Sequence, residues 1–161
     1  MSDTLNPRYG TIDQHYALAL AGTSPDNDGP VWMVNLMKYR EVADYADYAD
    51  GQVSTISGRE ADDRYAPVEI LGDIGAAPVF FGDVEQQLLG APTWDRVAVV
   101  KYPTRRSFID MQSRPDFHEA HQHKDAGMAE TIVMGCVPLP QPTTPPGVVF
   151  PDWKDVEHPS T

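Results

Sequence analysis

The segment Asp116 to Met128, DFHEAHQHKDAGM, carries three of the chain's five histidines within six positions. Such a cluster suits a metal site, an acid/base centre or a polar helix face, and helical geometry separates the three. At about 100° per residue, Phe117, Ala120, His121, Lys124 and Met128 share one arc, with His121 near its middle. His118 and Asp125 flank that arc, while Glu119, Gln122 and His123 point broadly outward. His123 is then nearly opposite the other two, so three imidazoles cannot converge on one ion from a continuous helix. His118 and His121, one turn apart, leave a two-histidine metal site that needs carboxylates from elsewhere. Neither His-Glu-x-x-His nor a paired Glu-x-x-His motif occurs. Acid/base chemistry asks for less: one histidine facing a cavity, with a ring that titrates near neutrality. His121 is the candidate, and its bland alternative is a histidine hydrogen-bonded at the core edge.

Asn35 is the second informative residue, an amide in the middle of the apolar run VWMVNLMKY. Buried there, it needs partners for its donors and acceptor. It can hold the developing charge of an enolate, as an oxyanion stabiliser does, or belong to a structural network. Lys38 and Tyr39 at the end of the run suit a cavity mouth or the surface. In GREADDRY, the acidic residues suit a helix beginning and Arg64 can pair with Glu60 across one turn, while the Tyr65 hydroxyl can reach a cavity. Arg105 and Arg106 open a helix, but adjacent side chains diverge by about 100° and make no phosphate clamp alone. The period-three Asp44, Asp47 and Asp50 do not match the every-second-position ligands of an EF-hand. That segment reads as a lid or dimer flap, with Tyr48 closing the cavity. No glycine-rich phosphate loop, nucleophile elbow or dinucleotide fingerprint is present.

The elements that must position these residues follow from periodicity. TIDQHYALALAG predicts a short helix capped near Thr11 or Asp13. Val31 to Tyr39 predicts a buried strand, and Ala61 to Ala76 an amphipathic helix kinked or restarted at Pro67. PVFFGDVEQQLLG and WDRVAVVKY predict a hairpin. A helix broken at Pro115 follows, with Thr104 and Ser113 as caps, and ETIVMGCVPL is the fourth strand. Seven of the fifteen prolines lie from Pro138 onward, which predicts an extended tail able to pack on a partner through Val148, Phe150 and Trp153. The expected division is therefore 1–29 as helix and linker, 30–138 as the domain and 139–161 as the tail.

This order is β-α-β-β-α-β, an α+β, ferredoxin-like arrangement with an antiparallel sheet, preceded by an extra helix. Trp32, Val34 and Leu36 point to one side of the first strand; Val31, Met33, Asn35 and Met37 point to the other. Both sides are apolar, so helices cover one face and a second copy of the sheet is the economical cover for the other. A homodimer is expected.

Composition limits the partners. With 161 residues, 41% of them hydrophobic, the chain suits one domain with a sizeable core. A formal charge of −12 disfavours nucleic acid and anionic membrane surfaces. The single cysteine, Cys136, excludes a disulfide within the chain and reads as a small buried hydrophobe. No leader or membrane span is evident, so a cytoplasmic protein is expected.

The stretches VNLMKYRE, SGREADDRYAP, WDRVAVVKYPTRRSFIDMQSRPDF and HKDAGM resemble the larger members of an uncharacterised family, the domain-of-unknown-function family thirteen-thirty, of the dimeric α+β barrel superfamily. The resemblance spans roughly Pro30 to Pro138. It implies a cavity between helices and sheet, in a superfamily that includes cofactor-independent monooxygenases, muconolactone-type isomerases, haem proteins and stress-responsive barrels. The expected activity is thus a cofactor-independent isomerase, cyclase or oxygenase acting on a small aromatic or enolisable metabolite. His121, Asn35 and Tyr65 are the expected catalytic residues, and Trp32, Arg64, Lys38, Tyr39, Tyr48, Met111 and Phe117 the substrate-binding ones. The alternatives are a non-catalytic dimeric binding or stress protein and a metal or haem enzyme using His118 and His121.

Overall fold

Pro30 ends the polar SPDNDGP break, and the β-prone run after it forms the central strand, β1 (Val31–Tyr39). The computed structural model describes residues 7–48 and 54–139. Ahead of β1 lie α1 (Gln14–Gly22) and a 3-10 turn (Pro25–Asn27). After it come α2 (Gly58–Arg64), α3 (Val68–Asp73), β2 (Ala77–Asp83), β3 (Arg96–Tyr102), α4 (Arg105–Gln112), α5 (Pro115–Gly127) and β4 (Met128–Cys136). The strands make one antiparallel sheet in the order β2-β3-β1-β4. The chain is therefore α+β, with a four-stranded antiparallel sheet and helices. Asp50 and the tail residues Val148, Phe150 and Trp153 lie outside the described residues.

Register decides which side chains meet. Val31 pairs with Tyr102, Met33 with Val100 and Asn35 with Ala98, so these six share one face. That face carries the core: Val31, Met33 and Tyr102 are buried together with Leu20, Ile70, Leu71, Met111 and Phe117 from the helices. Burying each large apolar side chain contributes roughly 1.5–3 kcal/mol. On the other face Trp32, Val34 and Leu36 lie beside Val97, Val99 and Lys101, and the β4 residues Ile132 and Met134 are exposed. Phe80 of β2, opposite Val99, is exposed there as well.

Capping fixes several boundaries that periodicity alone misplaces. Helix α2 starts at Gly58 rather than Ala61, because Ser57 and Glu60 form a reciprocal capping box. The expected 61–76 helix is two helices, separated around Pro67, which cannot donate to the ladder. Strand β2 ends at Asp83, short of the expected Gly90. Beyond it the Gln87 side chain binds Gly90 O, Pro92 O and Trp94 N, partners incompatible with a continuing strand ladder. Ser113 closes α4 rather than opening α5, which begins with Pro115 at its first position. Cys136 is exposed at the end of β4 instead of buried, as the last rung on an edge strand.

Helices α2 and α5 cross with almost nothing between their backbones. A Cβ on Gly58 would fall against Gly127 O, Arg40 O and Arg40 N, and one on Gly127 would collide with Gly58 O. Ala61 and Ala126 fill the same crossing and are fully buried. Backbone bonds close it: Arg40 N donates to Gly127 O at 2.8 Å, and Gly58 N to Arg40 O at 3.0 Å. The small residues of SGREA and DAGM are thus the contact that sets α5, and with it Lys124 and Asp125, against α2 and the sheet.

Candidate active-site cavity

Between the helix-facing side of the sheet and helices α2 and α3 lies a cavity of about 370 Å³, within the size range of small-molecule sites. Asn35 and Ala98 form part of its sheet wall, while Tyr65, Pro67, Val68 and Leu71 form the helix side. Lys124 of α5 also lines it. Phe117 sits two turns before Lys124 on the same helix face and is buried in the core. The lysine therefore occupies an inward-facing position that an apolar residue would ordinarily fill.

The Lys124 Nζ lies 3.5 Å from Asn35 Oδ1 and 5.6 Å from the centre of the Tyr65 ring. Among the described residues no carboxylate comes within ion-pairing distance of it. Burial pushes its pKa down, against the more distant pull of Asp62 and Asp125. Asn35 Nδ2 donates to Met33 O at 3.3 Å, so the amide keeps a second N–H for a ligand oxygen. Burial raises the pKa of Tyr65, which keeps its hydroxyl protonated.

One end of the cavity is charged. The buried Arg96 of β3 reaches Asp62 Oδ2 at 3.2 Å, Asp63 Oδ1 at 2.8 Å and Asp83 Oδ1 at 2.7 Å. Asp62, 5% exposed, also accepts from the Tyr39 hydroxyl at 2.6 Å. Asp62 and Arg96 thereby satisfy each other, as buried charges must. Pairing with Arg96 accounts for Asp62 and Asp63 of GREADDRY, while Glu60 stands in the first turn of α2 as the helix-start reading expects.

Behind Tyr65 lies a second polar group centred on Asp125. His121 Nδ1 is 3.1 Å from Asp125 Oδ1, an ion-pair contact without hydrogen-bond alignment. Tyr48 donates to Asp125 Oδ2 at 2.6 Å. Burial acts to raise the Asp125 pKa, but the close contacts from His121, Tyr48 and Tyr9 outweigh it and hold the group at about 2. The His121 ring is 4.9 Å from Phe117 and 5.5 Å from Tyr65.

The structure distributes the expected residues unevenly. Asn35 and Tyr65 line the cavity together. His121 contacts the outer side of Tyr65 and is not in the lining. Trp32 is on the opposite face of the sheet, where Lys101 lies 5.4 Å from its ring, so it is removed from this cavity. Met111 and Phe117 belong to the core, and Arg64 is exposed. Tyr39 is tied to Asp62 and Tyr48 to Asp125, both outside the lining, as is Lys38. His118 is exposed, while His123, expected to be solvated, is half-buried and bonds the Tyr45 hydroxyl at 2.9 Å. Among the described residues no group of three or more His, Cys, Asp or Glu is placed to hold a metal ion. The α4 amides of Arg105 and Arg106 are taken by the buried Asp28 carboxylate, at 2.8 and 3.0 Å. No helix among the described residues is long and apolar enough to cross a membrane.

Lys124 and Arg96 are the functional candidates that sequence reasoning passed over. The signal for Lys124 was present, since it shares the inward arc with Phe117 and His121. Arg96 gave no such signal, because its three carboxylates come from α2 and β2.

No family model matches the chain, and no curated protein does. Two solved structures are similar to it. One is the crystal structure of methylated RPA0582 protein, 26% identical, covering 84% of this chain and 98% of that one with a TM-score of 0.68. The other is the RPA0582 protein of unknown function from Rhodopseudomonas palustris, also 26% identical, covering 84% and 99% with a TM-score of 0.66. The chain is thus similar, over most of its length, to a protein of unknown function.

Proposed function

We propose that this chain is a cofactor-independent enzyme that moves a proton on a small, largely apolar carbonyl compound held in the cavity. The observation that carries this reading is the amine of Lys124 beside the Asn35 amide, in a pocket that is apolar apart from its Asp62, Asp63 and Arg96 end. A desolvated lysine gives up its proton more readily than one in water, which suits it to take a proton next to a carbonyl. The free N–H of Asn35 stabilises the enolate oxygen that results. Tyr65, Leu71 and Val100 provide a wall suited to an aromatic or aliphatic body. His121 and Asp125 act from behind Tyr65, holding that wall in position, instead of touching the substrate.

The element order and strand order support a ferredoxin-like domain. The apolar outer face supports a homodimer: Val34, Leu36, Val97, Val99, Ile132, Met134 and Phe80 form a continuous surface that a second sheet would cover. The dimer would leave the cavity within each protomer, since that cavity lies on the helix side.

Thermal unfolding with and without benzyl alcohol, on the parent chain and on Ala98→Phe, tests the cavity. Binding raises the midpoint of the parent protein and not of the variant, whose added ring fills the space between Asn35 and Phe81. Equal shifts in both, or none in either, would sink the reading.

A further inference from the structure

We propose that Lys124 is a nucleophilic amine that condenses with an aldehyde or ketone in the cavity to form an imine. This rests on the cavity reading above and gives Lys124 a covalent role in place of the general-base one, naming the substrate class. Three observations converge. Lys124 lines a cavity walled mostly by apolar side chains, and among the described residues it has no ion-pairing carboxylate and the Asn35 oxygen as its close polar neighbour. Lys124 is half-buried, and its amine borders the cavity instead of entering an ion pair among the described residues. Placed at a cavity wall with an accepting oxygen 3.5 Å away, the amine is oriented and still available.

The step balances without another reactant. The lone pair of the neutral amine attacks the carbonyl carbon, and the C=O π electrons move to oxygen, which takes a proton. The resulting carbinolamine carries one N–H and one C–O–H. Protonation of that hydroxyl expels water as the nitrogen lone pair forms the C=N bond, giving a protonated imine. Counting from the ammonium form, one ammonium and one carbonyl give one protonated imine and one water. The cationic imine then draws electrons from the neighbouring C–H bond, so loss of that proton to water leaves an enamine.

The charged groups around the amine come from each element packed on it. Asp62 and Asp63 lie on α2, Asp125 on α5 and Arg96 on β3. The acidic groups favour the ammonium, but burial outweighs them and pushes the Lys124 pKa down. The neutral nucleophile is therefore available at lower pH than on surface lysines.

The chain has four lysines, Lys38, Lys101, Lys124 and Lys154, which makes the test clean. The protein is incubated with benzaldehyde and sodium cyanoborohydride, and the adducts are counted by intact mass and located by peptide mapping. One benzyl group at Lys124, preferred about tenfold or more over the other lysines by virtue of a cavity that holds the reactants together, is the expected result. Excess benzyl alcohol, which fits the cavity but forms no imine, should suppress it. Lys124→Met should lose that adduct while retaining the benzyl alcohol stabilisation. Unselective labelling of all lysines, with benzyl alcohol still stabilising the protein, overturns the imine and leaves the cavity reading standing. Unselective labelling without any stabilisation overturns both.

Discussion

Replacing Gly58 by alanine should separate α2 from α5 and so disturb the cavity without touching any of its lining. The new methyl would sit 2.6 Å from Arg40 O and 2.7 Å from Arg40 N, and closer still to Gly127 O. All three are backbone atoms, so no flexible side chain can yield. Reaching ordinary van der Waals distance requires the elements to move apart by roughly 1 Å. Overpacking of this kind costs about 1–3 kcal/mol. The displacement also strains the Arg40 N to Gly127 O and Gly58 N to Arg40 O bonds, at about 1 kcal/mol each. The sum is about 3–5 kcal/mol, which for a chain of this size is a fall in Tm of roughly 6–20 °C. Calorimetry or denaturant titration measures it. Gly72→Ala is the control, because nothing lies within 4 Å of a Cβ there; it should be neutral or slightly stabilising. Gly58→Ala combined with Gly127→Ala should cost less than the sum of the two, since both fill one gap. A Gly58→Ala protein within about 1 kcal/mol of the parent would refute the backbone-contact argument.

Three further outcomes follow from the geometry. Arg96→Met strands the buried Asp62 and should cost about 3–5 kcal/mol in denaturant unfolding, whereas Arg96→Met with Asp62→Leu should recover much of it; equal losses would show that the pair is not coupled. Asp125 has a depressed folded-state pKa, so its contribution is full above the unfolded value of about 3.9 and is lost as pH falls towards about 2. With 1.36 kcal/mol per unit, that is roughly 2–3 kcal/mol; Asp125→Asn should remove this part of the acid sensitivity, and an unchanged stability profile between pH 4 and about 2 would contradict the assignment. Met134→Asp puts a charge on the apolar outer face and should convert a dimer to a monomer in light scattering behind size exclusion; a parent protein that is already monomeric would refute the proposed interface.

How far the site was legible depended on whether its parts lie in one segment. The α5 arc placed Phe117, His121 and Lys124 on a single face, and α5 does carry Phe117 into the core and Lys124 into the cavity wall. What the arc could not weigh was depth. His121 stops at Tyr65 while Lys124, one turn further along, reaches Asn35. That difference is set by how closely α2 approaches α5, a matter of Gly58 meeting Gly127 across 69 residues of chain. Likewise, a sequence reading could treat Asp62 as a helix-start charge, since its partner Arg96 lies on a distant strand.

The sequence by itself determined the local alternatives: four strands from apolar runs, helix breaks at Pro67 and Pro115, and Asn35 on the same side of β1 as Val31 and Met33. These follow from side-chain periodicity and from what proline and capping residues permit, both properties of adjacent residues. Only the tertiary structure decided that the lysine, and not the histidine, borders the cavity, and that Asp28 occupies the amides beside Arg105 and Arg106. Burial, pairing and desolvation depend on groups brought together from far apart in the chain, and it is those terms that turn an ordinary lysine into a candidate nucleophile.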